Sequence, residues 1–159
     1  MTLEPKRVRD SRVVLSQLVQ LTDANPMGYV HGGVIMRLVD EAGGIAATKH
    51  ASLPAVTVAI DSMSFFSPVY VGNQITLRAS LNYVGRTSME VGIRVEAEDV
   101  LTGEITHTNT AYCVYVALGP DGKPAPVPPL TAETEEERRR MEEAKRRQQI
   151  RLRERQEEQ

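Results

Sequence analysis

The 159-residue chain is expected to fold as one α+β domain in which a single helix lies across an antiparallel sheet. Three observations predict this. Apolar residues recur at a 3.6-residue period from Val34 to Ala47, and from Ala55 onward the period becomes two, in runs separated by turn sequences. A proline-rich stretch, Gly119 to Pro129, then stops regular structure ahead of a highly charged tail.

Residues 1–11 are polar and charged and are expected to be a flexible start. Val13 to Leu21 reads as a strand closed by Thr22-Asp23-Ala24-Asn25-Pro26. In the stretch DANPMGYVHGGVIMRLVDEAGGIAATKH, Asn25-Pro26-Met27-Gly28 is turn chemistry, and His31-Gly32-Gly33 leaves a bare backbone where the helical pattern begins, so the helix should start near Gly32. Ser52-Leu53-Pro54 ends it. One long strand then runs to Pro68, with Val56, Val58 and Ile60 on one face and Thr57, Ala59, Asp61, Met63 and Phe65 on the other. Gln74 to Val84 places Ile75, Leu77, Ala79, Leu81 and Tyr83 inward and Thr76, Arg78, Ser80 and Asn82 outward, before the turn Gly85-Arg86-Thr87-Ser88. Met89, Val91, Ile93, Val95 and Ala97 alternate with Glu90, Gly92, Arg94, Glu96 and Glu98, a half-buried strand with a wet outer face. After the turn Leu101 to Glu104, a Thr- and Tyr-rich strand spans Ile105 to Leu118.

The tail reads as a solvated, fraying helix, with pairs Glu135/Arg139, Glu136/Arg140, Glu142/Arg146 and Glu143/Arg147 and only a thin apolar seam. The expected division is therefore residues 1–11, a folded domain over 12–129 and a tail over 130–159. One helix cannot cover a five-stranded sheet and its edges, which predicts a homodimer.

A formal charge of -2 argues against nucleic acid as a partner, and residues 131–159 hold nine basic and nine acidic side chains, so the charge belongs to the folded part. The single cysteine, Cys113, lies in an apolar strand and reads as core, in keeping with a reducing, cytoplasmic setting. The start is charged throughout and no run approaches the roughly 18 apolar residues of a spanning helix, so no membrane role is expected. His31, His50 and His107 supply no ligand set at useful spacing, and no metal is expected.

At 3.6 residues per turn, Val34, Ile35, Leu38, Val39, Ala42, Ile45 and Ala46 form one apolar stripe, and Arg37, Glu41 and Thr48 a polar one. Between them lies a sector of Met36, Asp40, Gly43, Gly44 and Ala47. Glycines inside a helix cost stability, so something is expected to come close to that sector, and Asp40 on it should be partly desolvated. On the helix alone, an acid at the rim accepting a hydrogen bond is the favoured reading, since most helical acids are only solvated or paired charges. What favours chemistry is the company it keeps: unpaired N–H groups at a helix start bind anions, Gly32 and Gly33 let an oxygen approach, and Asn25 adds an amide. Glu41 turns onto the polar stripe and reads as surface charge.

The order of elements, with NPMGYVHGGVIMRLVDEAGG, IDSMSFFSPVYVGNQI and VGRTSMEVGIRVEAED, resembles the hotdog-fold acyl-CoA thioesterases over roughly Leu15 to Pro129. The resemblance implies a sheet wrapped on one central helix and an active site at a homodimer interface, in a group where hexamers made of three dimers are common. It implies that Asn25 is the loop amide, Asp40 the helical acid of the other subunit and Gly33 the N–H donor to the thioester oxygen. Whether Asp40 activates water or attacks the carbonyl stays open. It further implies that His31 and Gly32 at the helix start, and Gly85, Arg86, Thr87 and Ser88 at the turn, lie against the CoA portion. Acyl-CoA is then the partner, with coenzyme A as part of substrate and product and no separate cofactor. Acyl length would depend on how Met36, Met63, Phe65 and Phe66 pack. Two other readings are a non-catalytic acyl-CoA or lipid-binding dimer, and a hotdog dehydratase or hydratase, which would need His31 paired with an acid.

Overall fold

The computed structural model describes residues 2–61 and 63–159. Its organising element is α1 (Gly32–Ala51), around which β2 (Val13–Leu18), β5 (Gln74–Val84), β6 (Ser88–Glu98), β7 (Ile105–Ala117) and β3 (Ala55–Ile60) follow one another in that order across one antiparallel sheet. The short β4 (Ser64–Phe65) continues along β7, making six strands where five were expected. A separate parallel pair joins β1 (Lys6–Arg7) to β8 (Leu130–Thr131), and α2 (Glu135–Glu157) follows.

The core is the inner face of the sheet against α1. Ile35, Leu38, Val39, Ala42 and Ala46 pack on Ile75, Leu77 and Leu81 of β5, Met89, Val91, Ile93 and Val95 of β6, and Ala111, Cys113, Tyr115 and Ala117 of β7. The buried alternation of β6 is the one read from the sequence. On α1 the stripe is rotated: Ile45 is exposed while Gly43 and Ala47 are buried, because the sheet curls round the helix and meets the small-residue sector. Ser52 ends α1 in the left-handed region with its N–H on Thr48 O at 2.8 Å, as the turn sequence suggested.

Other boundaries differ for identifiable reasons. The first strand stops at Leu18, since Leu21–Asp23 form a 3-10 turn in which the Asp23 carboxylate accepts from Gln20 N at 2.9 Å. The long strand after α1 divides into β3 and β4, with a register shift between Thr57 and Ala59, so a strict two-residue period does not hold there. A second shift between Leu81 and Tyr83 buries Asn82, placed outward from the sequence, and leaves Tyr83 only half-buried. Residues 6–11, read as loose, form β1 and a 3-10 turn in which Ser11 is fully buried, its hydroxyl donating to Val8 O and accepting from Leu81 N.

The tail is the largest correction. α2 is capped by Thr134, whose Oγ1 accepts from Glu137 N at 3.1 Å while the Glu137 carboxylate accepts from Thr134 N. It lies on the outer face of the sheet with Ala144 fully buried. Glu136/Arg140 forms as expected, at 2.7 Å, but Arg147 turns away from Glu143 to reach Glu90 at 2.7 Å. The outer face of β6 is therefore not uniformly wet.

Candidate active site

α1 begins without a side-chain cap, His31 being in extended conformation, so the first N–H groups depend on what approaches them. Val34 N and Ile35 N turn back to His31 O, while the Gly32 and Gly33 N–H groups find no acceptor among the described residues. A Cβ on Gly33 would meet nothing within 4 Å; one on Gly32 would touch the Phe65 ring at 3.4 Å. Gly33 is thus an open donor beside an aromatic wall.

The loop before the helix is built by Asn25. Its Oδ1 accepts from Met27 N at 3.0 Å and Tyr29 N at 3.2 Å, and its backbone exchanges bonds with Tyr29 and Gly28. The carbonyl oxygen is spent on the turn, which leaves the Asn25 NH2 group without an acceptor among the described residues. Gly28 takes φ +85, a conformation that a side chain would strain.

Two turns down the helix, Asp40 is half-buried. Thr57 Oγ1 on β3 donates to its Oδ1 at 2.6 Å, and the Tyr115 hydroxyl on β7 lies 3.2 Å from Oδ1 and 3.1 Å from Asp40 O. Thr57 and Tyr115 are cross-strand partners, so the two donors share one rung of the sheet. Burial pushes the Tyr115 phenol far above its ordinary value, which keeps it a neutral donor. The glycine sector has its reason here: the Tyr115 ring lies against Gly43. Sequence reasoning missed both partners, because strand alternation says nothing about which rung crosses the helix at Asp40.

The third group is the turn between β5 and β6. Gly85 N donates to Ser88 O, Thr87 O accepts from Ala117 N and Arg86 O from Val127 N, so the turn is fixed by its backbone while the Arg86 side chain is exposed. Ser88 begins β6 one rung from Met89, which pairs with Tyr115, so the turn lies at the same end of the sheet as Asp40. Among the described residues no hydrogen bond joins the three groups. His31 is exposed and pairs with no carboxylate among the described residues. Among the described residues no three His, Cys, Asp or Glu side chains gather as a metal site would need.

Cys113 is fully buried, and burial pushes its thiol up to about 12. It belongs to the core.

Comparison with known proteins places this geometry. Residues 27–104 match the family model described as the thioesterase superfamily. The protein VdlD of Helicobacter pylori is 43% identical over 143 residues, covering 90% of this chain and 82% of its own length. A solved apo-hexameric acyl-CoA thioesterase superposes with a TM-score of 0.92 at 38% identity, over 96% of this chain and 97% of its own. The Staphylococcus aureus acyl-CoA hydrolase, solved with butyryl coenzyme A, coenzyme A and coenzyme A disulfide, gives a TM-score of 0.90 at 31% identity over 96% and 93%. Solved variants of that hydrolase replace one Asp, one Asn or one Thr by Ala, and the three positions have the same spacing along its chain as Asn25, Asp40 and Thr57 have here. A six-stranded antiparallel sheet curled round one long helix, with relatives of this likeness over nearly its full length, makes the chain a hotdog-fold member of the thioesterase superfamily, in its acyl-CoA hydrolase group.

Proposed function

We propose that the chain hydrolyses acyl-CoA thioesters at sites shared between two copies, Asn25 and Gly33 coming from one subunit and Asp40 from its partner. The observation that carries this is the separation along α1. At about 1.5 Å per residue, Asp40 lies about 10 Å along the axis from Gly33, too far for one thioester carbonyl to meet both in the same chain. A second copy removes the conflict. β3 offers the means, since it is an edge strand with Val56 and Val58 both exposed.

In that arrangement the Gly33 N–H, supported by the helix dipole, donates to the thioester oxygen, and the Asn25 NH2 group orients the attacking water or the carbonyl. Asp40, held by Thr57 and Tyr115, either takes a proton from water or adds to the carbonyl carbon itself. In the first route water adds to the carbonyl, the tetrahedral oxyanion breaks the C–S bond, and the proton taken by Asp40 passes to the leaving thiolate. In the second the oxyanion collapses to an acyl-Asp40 anhydride and CoA thiolate, and water then hydrolyses the anhydride, releasing the carboxylic acid, restoring Asp40 and supplying the thiolate's proton. Arg86 offers a guanidinium, and Thr87 and Ser88 hydroxyls, to the phosphate-bearing part of CoA, with Gly85, His31 and Gly32 completing the contact. The groups proposed to touch the substrate all lie within residues 12–129. Relatives described as hexameric support a trimer of such dimers, and this reading takes the reaction as cytoplasmic and needing no separate cofactor.

The test is release of CoA thiol from acyl-CoAs of two to sixteen carbons by wild type, Asp40→Ala and Asn25→Ala. Rapid release lost in both folded variants supports the assignment. Release that survives Asp40→Ala contradicts it, and binding of acyl-CoA with no release from any member of the panel moves the protein to the binding class.

A further inference from the structure

The charged C-terminal helix has so far no part in the chemistry, yet two of its arginines close over a buried carboxylate. Glu90, with its side chain 1% exposed, points from β6 to the outer face of the sheet. Arg147 meets it with Nη2 at 2.7 Å and Nε at 3.2 Å while its guanidinium stacks over the Tyr112 ring at 3.7 Å, and Asn82 Nδ2 donates to it at 3.1 Å. Arg151, one turn further along α2, also donates to Glu90 and then to Asp61, with Nε at 3.0 Å and Nη2 at 2.9 Å. Arg147 with Asn82 already satisfies much of Glu90, so the second arginine is not needed merely to neutralise it.

What Arg151 adds is Asp61. This residue follows the last residue of β3, and its N–H continues the ladder to Tyr112 O at 2.9 Å. On one side of it lies Thr57, the donor to Asp40; on the other lies Phe65 of β4, whose ring sits over Gly32 at the helix start. β3 carries a register shift between Thr57 and Ala59 and lies at the sheet edge, the kind of strand that opens most readily. The helix therefore grips the end of β3, a strand that reaches Asp40 through Thr57 and is followed by β4, which reaches Gly32 through Phe65.

We propose that Arg151, acting through Asp61, is a positioning residue for hydrolysis: α2 sets the β3 and β4 edge so that Thr57 stays on Asp40 and Phe65 stays on Gly32. The proposal rests on Asp40 and the helix start being the reacting groups. Arg147 provides the control, since it anchors the same helix to the same carboxylate without touching Asp61.

The experiment compares full-length wild type, Arg151→Ala, Arg151→Lys, the near-isosteric Asp61→Asn, the double variant Arg151→Ala/Asp61→Asn, and Arg147→Ala, for kcat, KM and Tm. A misplacement of about 1 Å can cost on the order of a hundredfold in rate, so Arg151→Ala and Asp61→Asn should each lower kcat roughly ten- to a hundredfold. The double variant should lose no more than either single one, and Arg151→Lys should recover part of the loss. Arg147→Ala should lower Tm while kcat stays near wild type. Unchanged kcat in folded Arg151→Ala and Asp61→Asn overturns the proposal, as does an equal kcat loss in Arg147→Ala. Wild type that releases no thiol would instead overturn the hydrolase assignment, so the two failures are told apart.

Discussion

Gly43 and Gly44 are neighbours in one helix, and replacing each by Ala should have opposite effects. A Cβ built on Gly43 falls 2.2 Å from the Tyr115 hydroxyl oxygen and 2.9 Å from Cζ, whereas one on Gly44 comes no nearer than 3.8 Å to that ring. Tyr115 is 1% exposed, so its ring cannot swing away into solvent. Overpacking of a filled core costs about 1–3 kcal/mol. Displacing the hydroxyl from Asp40 forfeits about 1 kcal/mol more, and the helix propensity gained on replacing Gly by Ala returns about 1 kcal/mol. Gly43→Ala should thus be destabilised by about 2 kcal/mol, a fall in Tm of about 4–8 °C for a chain of this size. Gly44→Ala keeps only the propensity gain and should rise by a few degrees. Thermal unfolding at equal protomer concentration, with thiol release measured on the same samples, gives both readouts. Gly43→Ala should also lose kcat, because the donor to Asp40 moves. A Gly43→Ala variant as stable and active as Gly44→Ala would refute the close approach of Tyr115.

Three further outcomes follow from named contacts. Thr57→Val removes the 2.6 Å donor to a carboxylate at nearly constant volume, and should lower kcat roughly tenfold with little change in Tm, read by steady-state kinetics. His50 is buried with Nε2–H donating to Pro128 O at 2.7 Å and Nδ1 unpartnered; burial holds it below its ordinary 6.5, with nearby Lys6 adding to the effect. The unfolded chain takes up a proton below that value and the folded chain resists it. Stability should therefore be flat above pH 6.5 and decline below it, by at most about 1.4 kcal/mol per pH unit, a slope that His50→Gln should lessen in denaturant titrations at pH 7.5 and 5.5. Cys113 should resist a thiol reagent in the native protein and react only after denaturation, as followed by absorbance; prompt native labelling would contradict its place in the core.

What the sequence conveyed was local. The start of α1 at Gly32, its end at Ser52 and the buried set Met89, Val91, Ile93, Val95 and Ala97 of β6 all come from period and turn chemistry, and each recurs in the structure. The residues that act across space were not legible. Thr57 and Tyr115 reach Asp40 because β3 and β7 pair in one register beneath the helix, which no window of sequence contains. Glu90 fits the pattern of a solvated strand residue until Arg147 and Arg151, 57 and 61 positions later, return to cover it. α2 lacks an apolar stripe and so looked like a fraying helix, but guanidinium groups dock it where side-chain methyl groups usually do. The register shift after Leu81 displaced the faces of Asn82 and Tyr83, and the one after Thr57 broke the two-residue period of β3 in the same way.

The claim that the site is completed by a second copy is tested most directly by mixing two dead proteins. Asn25→Ala and Asp40→Ala subunits are dissociated together, reassembled and assayed for CoA thiol release, beside each variant reassembled alone. Each mixed dimer would hold one site with neither substitution and one with both, and random pairing makes half the dimers mixed, so roughly a quarter of wild-type activity should return. Activity that stays at the level of the separate variants, in reassembled protein of the same size as wild type, would mean that Asn25 and Asp40 act within one chain and would contradict the account.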